Sequence, residues 1–312
     1  MVLCAGLGTR LRPLTGRVPK PAVPLGGAPL VRFSLALLAG AGVRRAVVNV
    51  HHLPDAMAAA AEASARALGL SLSVSREPVI AGTGGALREA RSLLRDAEAI
   101  FLVNGDVLFD ADLPAALAAH RASSALATML LLPMPAGARF ASVETDTSGA
   151  VRRIAGAFGP GGAGLSPWHF SGVHVLSPGI LDEVPAEPFE VDVNRHVYPP
   201  LMERGLVRGF AASGFWSDPG TPAGYLAANL EAAAGRVPLA RFPGLAPARI
   251  GPGTVIEPGA EVGEDVVLGA RCRVPAGAVL RRAVVWDGTA IAPGERLEGA
   301  VAAGALRVPA AG

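Results

Sequence analysis

Over the first 130 residues, short apolar runs alternate with longer amphipathic stretches. "MVLCA" (1–5), "RAVVNV" (45–50), "SLSVSRE" (71–77) and "AIFLVNGD" (99–106) have the length and β-branched content of strands. Between them, "PLVRFSLALLAGAG" (29–42), "PDAMAAAAEASARAL" (54–68) and "GGALREARSLLR" (84–95) read as helices. Glycine closes the first of these and proline opens the second. This alternation predicts an α/β domain with a doubly wound, Rossmann-like sheet whose ligands sit beyond the carboxyl ends of the strands. From about 125 to 220 the pattern loosens into further strands at "ASVET", "HFSGVHVL" and "LVRGFAA". A helix at "DVNRHVYPPLMERG", started by Asp192 or Asn194, lies between the last two, and "TPAGYLAANLEAAAG" (221–235) is a closing helix.

After "RVPLARFPGLAPAR" (236–249) the period changes. Ile250, Ile256, Val262, Leu268, Val274 and Leu280 recur at every sixth position, with glycines between them, and Trp286 and Ala292 continue the series weakly. One inward aliphatic per six residues predicts a parallel β-helix, about two to three coils at three hexads per coil. The domain divisions are therefore 1–235, a proline-rich linker over 236–247, and a hexad domain over 248–312.

Composition narrows the class. A chain of 312 residues, 51% hydrophobic, has enough material for one large domain and a smaller one. Net charge is +2 with scattered basic residues, which argues against nucleic acid or a membrane surface as partner. The densest apolar run, "ALATMLLL" (125–132), is too short to span a bilayer, and Cys4 and Cys272 fit neither a disulfide framework nor a metal spacing. The expectation is a cytoplasmic protein that self-associates through the open end of its coil. Lysine and arginine total 28, yet Lys20 is the only lysine, set between Pro19 and Pro21.

Chemistry concentrates at "AGLGTRLRPLTGRVPKP" (5–21). It is not a Walker A loop, since no Gly-Lys-Ser/Thr follows, nor a dinucleotide fingerprint, since Leu11 stands at the third glycine position. What remains is a strand entering a glycine turn whose N–H groups can cradle phosphate, with Arg10 and Lys20 in reach of the same anion.

That string, Gly6-x-Gly8-Thr9-Arg10-Leu11-x-Pro13-Leu14-Thr15 with Pro19-Lys20-Pro21, resembles the sugar-1-phosphate nucleotidyltransferases. The resemblance continues at "EPVIAGTGGAL" (77–87), "VNGD" (103–106), "HFSGVHVLSP" (169–178) and "FWSDPGTP" (215–222), and covers residues 1–235. The resemblance implies a Rossmann-like doubly wound mixed sheet, and the hexad tail is similar to the left-handed β-helix that many members carry. The resemblance implies a Mg²⁺-dependent transfer from NTP to a sugar 1-phosphate, with pyrophosphate leaving. It implies nucleotide contacts at Ala5, Gly6, Gly8, Thr9, Arg10, Glu77, Gly82 and Thr83. Sugar-phosphate contacts would come from Lys20, Asn104, Gly105, Ser171 and Gly172, and catalysis from Arg10, Lys20, Asp106 and Asp218.

The residues suit that reaction on physical grounds. In-line attack on the α-phosphorus needs positioning and charge neutralisation. Two carboxylates at separate strand ends, Asp106 and Asp218, can hold Mg²⁺, which keeps waters or phosphates as its other ligands. A compact ammonium at Lys20 fits among phosphate oxygens where a planar guanidinium needs a wider partner. Many members carry a second lysine in a Glu-Lys-Pro segment. The comparable "VRRIAGAFGPGGAG" (151–164) has none, so either Arg152 or Arg153 substitutes or the sugar phosphate is held differently.

The GTGG and FSG forms resemble the mannose-1-phosphate guanylyltransferase and N-acetylmuramate-1-phosphate uridylyltransferase groups, and the tail tilts toward the former, with GDP-mannose as product. His51 and His52 are further candidates for the sugar pocket. Two rivals are a catalytically silent nucleotide-sugar sensor and a hexapeptide acyltransferase. The sensor should have lost Arg10, Lys20 or a carboxylate. The acyltransferase needs a histidine near the coil, and none follows His196.

Overall fold

The computed structural model describes residues 1–310 apart from 136, 138–139, 239–241, 243–244 and 246–247. Its main sheet runs in the spatial order Val151–Ile154, Ser142–Thr145, Ser166–Leu176, Ile100–Asn104, Val2–Leu3, Arg45–Val50, Ser71–Arg76. Ala127–Pro133 pairs with Ser166–Leu176 and, in parallel, with Val207–Ala211. The strands expected from the apolar runs are present, and the mixed character comes from Ser166–Leu176, antiparallel to three neighbours.

The first strand, Val2–Leu3, is flanked in parallel by Arg45–Val50 and Ile100–Asn104, so chain order reverses at this point. Such a switch opens a crevice at the strands' carboxyl ends, where the glycine turn begins. Leu30–Gly40 and Pro54–Ala67 cover one face, burying Leu30, Phe33, Leu37, Met57 and Ala61. The other face packs on Leu87, Leu94, Val197, Tyr198 and Leu201. The predicted helix over 192–205 forms as a π turn, Val193–Val197, continuing into Tyr198–Glu203. Asp192, not Asn194, caps it.

The tail is built of parallel coils. Val255 lies opposite Arg273 and Glu261 opposite Val279, steps of eighteen residues that match three hexads. Val279 then lies opposite Arg296, a step of seventeen. One residue is lost after Leu280, where Arg282 takes a positive φ of 44°. Beyond it the inward positions are therefore Val285, Ile291 and Leu297, all buried, and not Trp286 or Ala292. The first inward positions also differ from expectation. Ile250 and Ile256 are 39% and 37% exposed because no coil among the described residues lies beneath them to pack against. At the opposite end Leu306–Pro309 folds back antiparallel on Arg296–Ala303.

The hexad domain is not a loosely hung appendage. Val267, Val284 and Val301 stand in register on successive coils, pointing away from the coil interior. They are buried in one cluster with Tyr225, Leu226 and Ala228 of the helix Pro222–Ala233. Trp286 Nε1 donates to Tyr225 Oη at 2.9 Å, and that hydroxyl donates in turn to the Pro24 carbonyl. Of the predicted linker, residues 239–241, 243–244 and 246–247 lie outside the described residues, while Phe242 packs edge-on against Phe33. Truncation after Gly235 strips three valines from this shared core. At about 1.5–3 kcal/mol per buried aliphatic side chain, it should cost roughly 5 kcal/mol or more. The expected result is aggregation or a sharply lower Tm; an unchanged Tm would show that the two parts fold independently.

Candidate active site

Four loops meet at the carboxyl ends of the central strands. The chain leaves Val2–Leu3 through the glycine turn, and Gly8 adopts a φ of 60°. A Cβ there would lie 2.9 Å from Lys20 Cβ, so only glycine satisfies both the backbone and the close approach. Thr15 Oγ1 donates to the Gly8 carbonyl at 2.9 Å and pins the turn. Lys20 opens the single 3₁₀ turn Lys20–Ala22 directly after Pro19, which delivers its side chain underneath the turn.

Asp106 follows Ile100–Asn104 after a tight turn in which the Gly105 N–H donates to the Leu3 carbonyl at 3.0 Å. Asp218 arrives from the far end of the chain. The two-residue strand Trp216–Ser217 pairs antiparallel with Leu108–Phe109, two residues beyond Asp106, and this ladder brings the carboxylates together. Thr221 caps the next helix by accepting from the Gly224 N–H, which leaves Asp218 free of that role.

Lys20 Nζ donates to Asp106 Oδ2 at 2.8 Å and to Asp218 Oδ1 at 2.9 Å. Arg10 Nη2 reaches Asp218 Oδ2 at 3.1 Å. All four predicted catalytic side chains thus form one cluster. Lys20 is only 6% exposed while Arg10 is 65% exposed, so the lysine is enclosed by protein and the arginine faces solvent at the rim. A cleft of about 260 Å³ opens beside the cluster. Of the predicted contacts, Ala5, Gly6, Gly8, Lys20, Glu77, Gly82, Thr83, Asn104 and Asp106 line it. Thr9 is exposed in the 3₁₀ turn next to Arg10.

The donor set suits a small hard cation. Two carboxylates on either side of one nitrogen are a sparse oxygen set, as Mg²⁺ prefers when phosphates complete its shell. Among the described residues no cluster of three or more His, Cys, Asp or Glu side chains offers a fuller cage.

Other predicted residues have different duties. Glu77 is buried, and each oxygen already accepts one bond, from Asn49 Nδ2 at 2.8 Å and from the Ala81 N–H at 3.1 Å. Asn49 Oδ1 in turn accepts from the Cys4 N–H at 2.8 Å, so one network ties the first strand to the 77–82 loop. Gly105 packs inward, its missing Cβ falling 2.7 Å from Cys4 Sγ. Ser171 offers the cleft neither hydroxyl nor carbonyl: the first donates to Leu130 O and the second accepts from Trp216 Nε1, each at 2.8 Å. Gly172 lies against Asn104, where a Cβ would approach its amide to 3.0 Å.

The structure does not bring Arg152 or Arg153 to the cleft. Arg152 pairs with Asp146 and Arg153 with Glu144, along the outer edge of the sheet, and neither lines the cleft. Hydrogen bonding to Arg153 holds the Glu144 carboxyl below its ordinary range. His51 and His52 brace backbone carbonyls and do not line the cleft: His51 Nδ1 meets the Glu77 carbonyl at 2.9 Å and His52 Nε2 the Thr15 carbonyl at 2.7 Å.

Two residues escaped the sequence reading. Asn49 could have been found, as the one polar residue in the buried run 46–50. His169 lies flanked by Phe140 and Trp216, ring centroids 4.3 and 4.4 Å away, and neither ring nitrogen has a partner among the described residues. Burial pushes its imidazole below the ordinary value, and nearby Asp218 pulls it partly back. Cys4, close by, is no nucleophile: burial, with Asp106 adding to it, raises its thiol far above the usual range.

The nucleotidyl transferase family profile matches residues 1–235, and a profile of six bacterial transferase hexapeptide repeats matches residues 247–282. A mannose-1-phosphate guanylyltransferase of Mycobacterium tuberculosis is 31% identical over 99% of this chain and 81% of its own length. Mannose-1-phosphate guanyltransferases of Xenopus laevis (beta-A) and Candida albicans are each 28% identical over 72% of this chain; the match spans 62% of their length. Among solved structures, HddC from Yersinia pseudotuberculosis superposes with a TM-score of 0.60 at 23% identity, covering 73% of this chain and 96% of that one. At that identity the likeness speaks for the fold.

Proposed function

The chain belongs to the nucleotidyl transferase family, and from that premise we propose that it transfers a guanylyl group from GTP to mannose 1-phosphate, giving GDP-mannose and pyrophosphate. The observation that carries the reading is the cleft lined by the glycine turn, Lys20 and Asp106, with Asp218 joined to its edge through Lys20. No helix among the described residues is long and apolar enough to cross a membrane.

The turn at Gly6 and Gly8 presents backbone N–H groups to the triphosphate. Arg10, exposed at the rim, closes over the pyrophosphate end and balances the charge that gathers on the leaving group. Lys20, fixed by burial, holds oxygens of both reacting phosphates in line. Asp106 and Asp218 would hold Mg²⁺, which when bound supplies Lewis-acid stabilisation of the transferring phosphoryl group. Asn104, backed by Gly172, lines the side on which the sugar phosphate would bind.

Guanine over uracil is supported by the named relatives and by Glu77. A carboxylate facing the base accepts from both the N1–H and the 2-amino group of guanine, whereas uracil offers one N–H between two carbonyls that a carboxylate repels. Each Glu77 oxygen keeps a lone pair beyond its internal bond. Glu77→Gln is expected to lower the GTP-to-UTP ratio of kcat/KM by about tenfold or more, because one acceptor becomes a donor. The deciding experiment is turnover of four NTPs against the 1-phosphates of mannose, glucose and N-acetylmuramic acid. GTP with mannose 1-phosphate should be the best pair; a preference for UTP with N-acetylmuramic acid 1-phosphate would replace this reading.

A further inference from the structure

We propose that Lys20 is the counter-ion that makes divalent-cation binding at Asp106 and Asp218 conditional on bound nucleotide. The inference rests on the reading, under the proposed function, of those two carboxylates as the ion's ligands.

The charges in the cluster cancel. Lys20 Nζ lies 2.8 Å from Asp106 Oδ2 and 2.9 Å from Asp218 Oδ1, and Arg10 Nη2 lies 3.1 Å from Asp218 Oδ2. Two cations face two anions, and three of the four carboxylate oxygens are engaged by N–H donors. Arg10 can withdraw into solvent. Lys20 cannot, because its side chain is 6% exposed and the 3₁₀ turn holds its backbone beneath Gly8. Burial also weakens the screening of its charge by water. A divalent ion arriving alone therefore meets no net negative charge, and it must displace an ammonium that has nowhere else to go.

A triphosphate changes this balance. It brings several negative charges into the cleft, and the three N–H donors of the ammonium can turn from carboxylate to phosphate oxygens with little movement of the stem. The carboxylate oxygens are then released to the ion. Lys20 is shared between the two binding events, so ion and nucleotide must raise each other's affinity by the same factor.

The test reads free Mn²⁺ by electron paramagnetic resonance in the full chain, without sugar phosphate and without turnover. Wild-type protein should bind Mn²⁺ weakly alone and at least about tenfold more tightly with a non-hydrolysable GTP analogue. Lys20→Met keeps the stem and removes the charge, and should bind Mn²⁺ alone at least about tenfold more tightly than wild type. Lys20→Gln should do the same, and adding Asp106→Asn to Lys20→Met should abolish the gain. Folded Met and Gln variants that bind Mn²⁺ no more tightly than wild type would overturn the proposal. So would wild-type affinity that is equal with and without the analogue, a comparison that decides the matter even if neither variant folds. A protein that shows this linkage but turns over no sugar 1-phosphate would leave the inference standing and remove the proposed reaction.

Discussion

Replacing Asp106 or Asp218 with asparagine is expected to lower kcat by about a thousandfold, the scale of the several kcal/mol that charge stabilisation at a transferring phosphoryl group supplies. Asparagine keeps the shape and one acceptor oxygen, so Lys20 retains a partner on each side and the fold should hold. What disappears is one negative charge from a pair whose geometry depends on distant parts of the chain. Asp106 follows the strand Ile100–Asn104, and Asp218 reaches it through the ladder of Trp216–Ser217 on Leu108–Phe109. Since both act on the same centre, the double variant should lose little more than either single one. Thermal unfolding separates this loss from misfolding, and magnesium titration shows whether it persists at saturation. Full activity of either variant at limiting magnesium would remove the carboxylates from the mechanism.

Lys20→Arg should lower turnover by about a hundredfold, since a misplacement of about 1 Å at a reacting centre costs that much. Charge is conserved in this change and only geometry differs. Lys20 Cβ already stands where a Gly8 Cβ would come within 2.9 Å, Pro19 and Pro21 flank it, and its ammonium fits between two carboxylates at 2.8 and 2.9 Å. A guanidinium is longer and fixes its donors in one plane. Single-turnover kinetics beside Lys20→Ala make the comparison. Near wild-type turnover for arginine, with loss only for alanine, would mean that charge alone suffices.

Much of this site could be read along the chain because its parts are local. The Gly6–Lys20 string is contiguous, and Asn104–Asp106 sits at the end of an apolar run, where strand-end chemistry is expected. The convergence of Asp218 with Asp106 was readable only through resemblance, since it depends on a two-residue strand too short to leave a periodic signal. The limits elsewhere have physical causes. Ser171 sits in a polar-looking FSG segment, but the bulge of its strand between Phe170 and His174 turns its hydroxyl inward. His51 and His52 are hydrogen-bonded to carbonyls of loops more than twenty residues away, contacts that no spacing predicts. In the tail the six-residue period is plain, while the lost residue after Leu280 shifts the inward positions that follow, at 285, 291 and 297, by one. The outward valines 267, 284 and 301 read as ordinary solenoid surface until the helix Pro222–Ala233 is seen against them.

Phosphorus NMR of the complete reaction tests the central claim most directly. With purified protein, GTP, mannose 1-phosphate and magnesium, the two coupled phosphorus signals of a sugar-linked diphosphate should grow in step with pyrophosphate, one for one, and neither should appear when the sugar phosphate is left out. Release of orthophosphate instead of pyrophosphate, or GTP left intact with every sugar 1-phosphate offered, would contradict nucleotidyl transfer in this cleft.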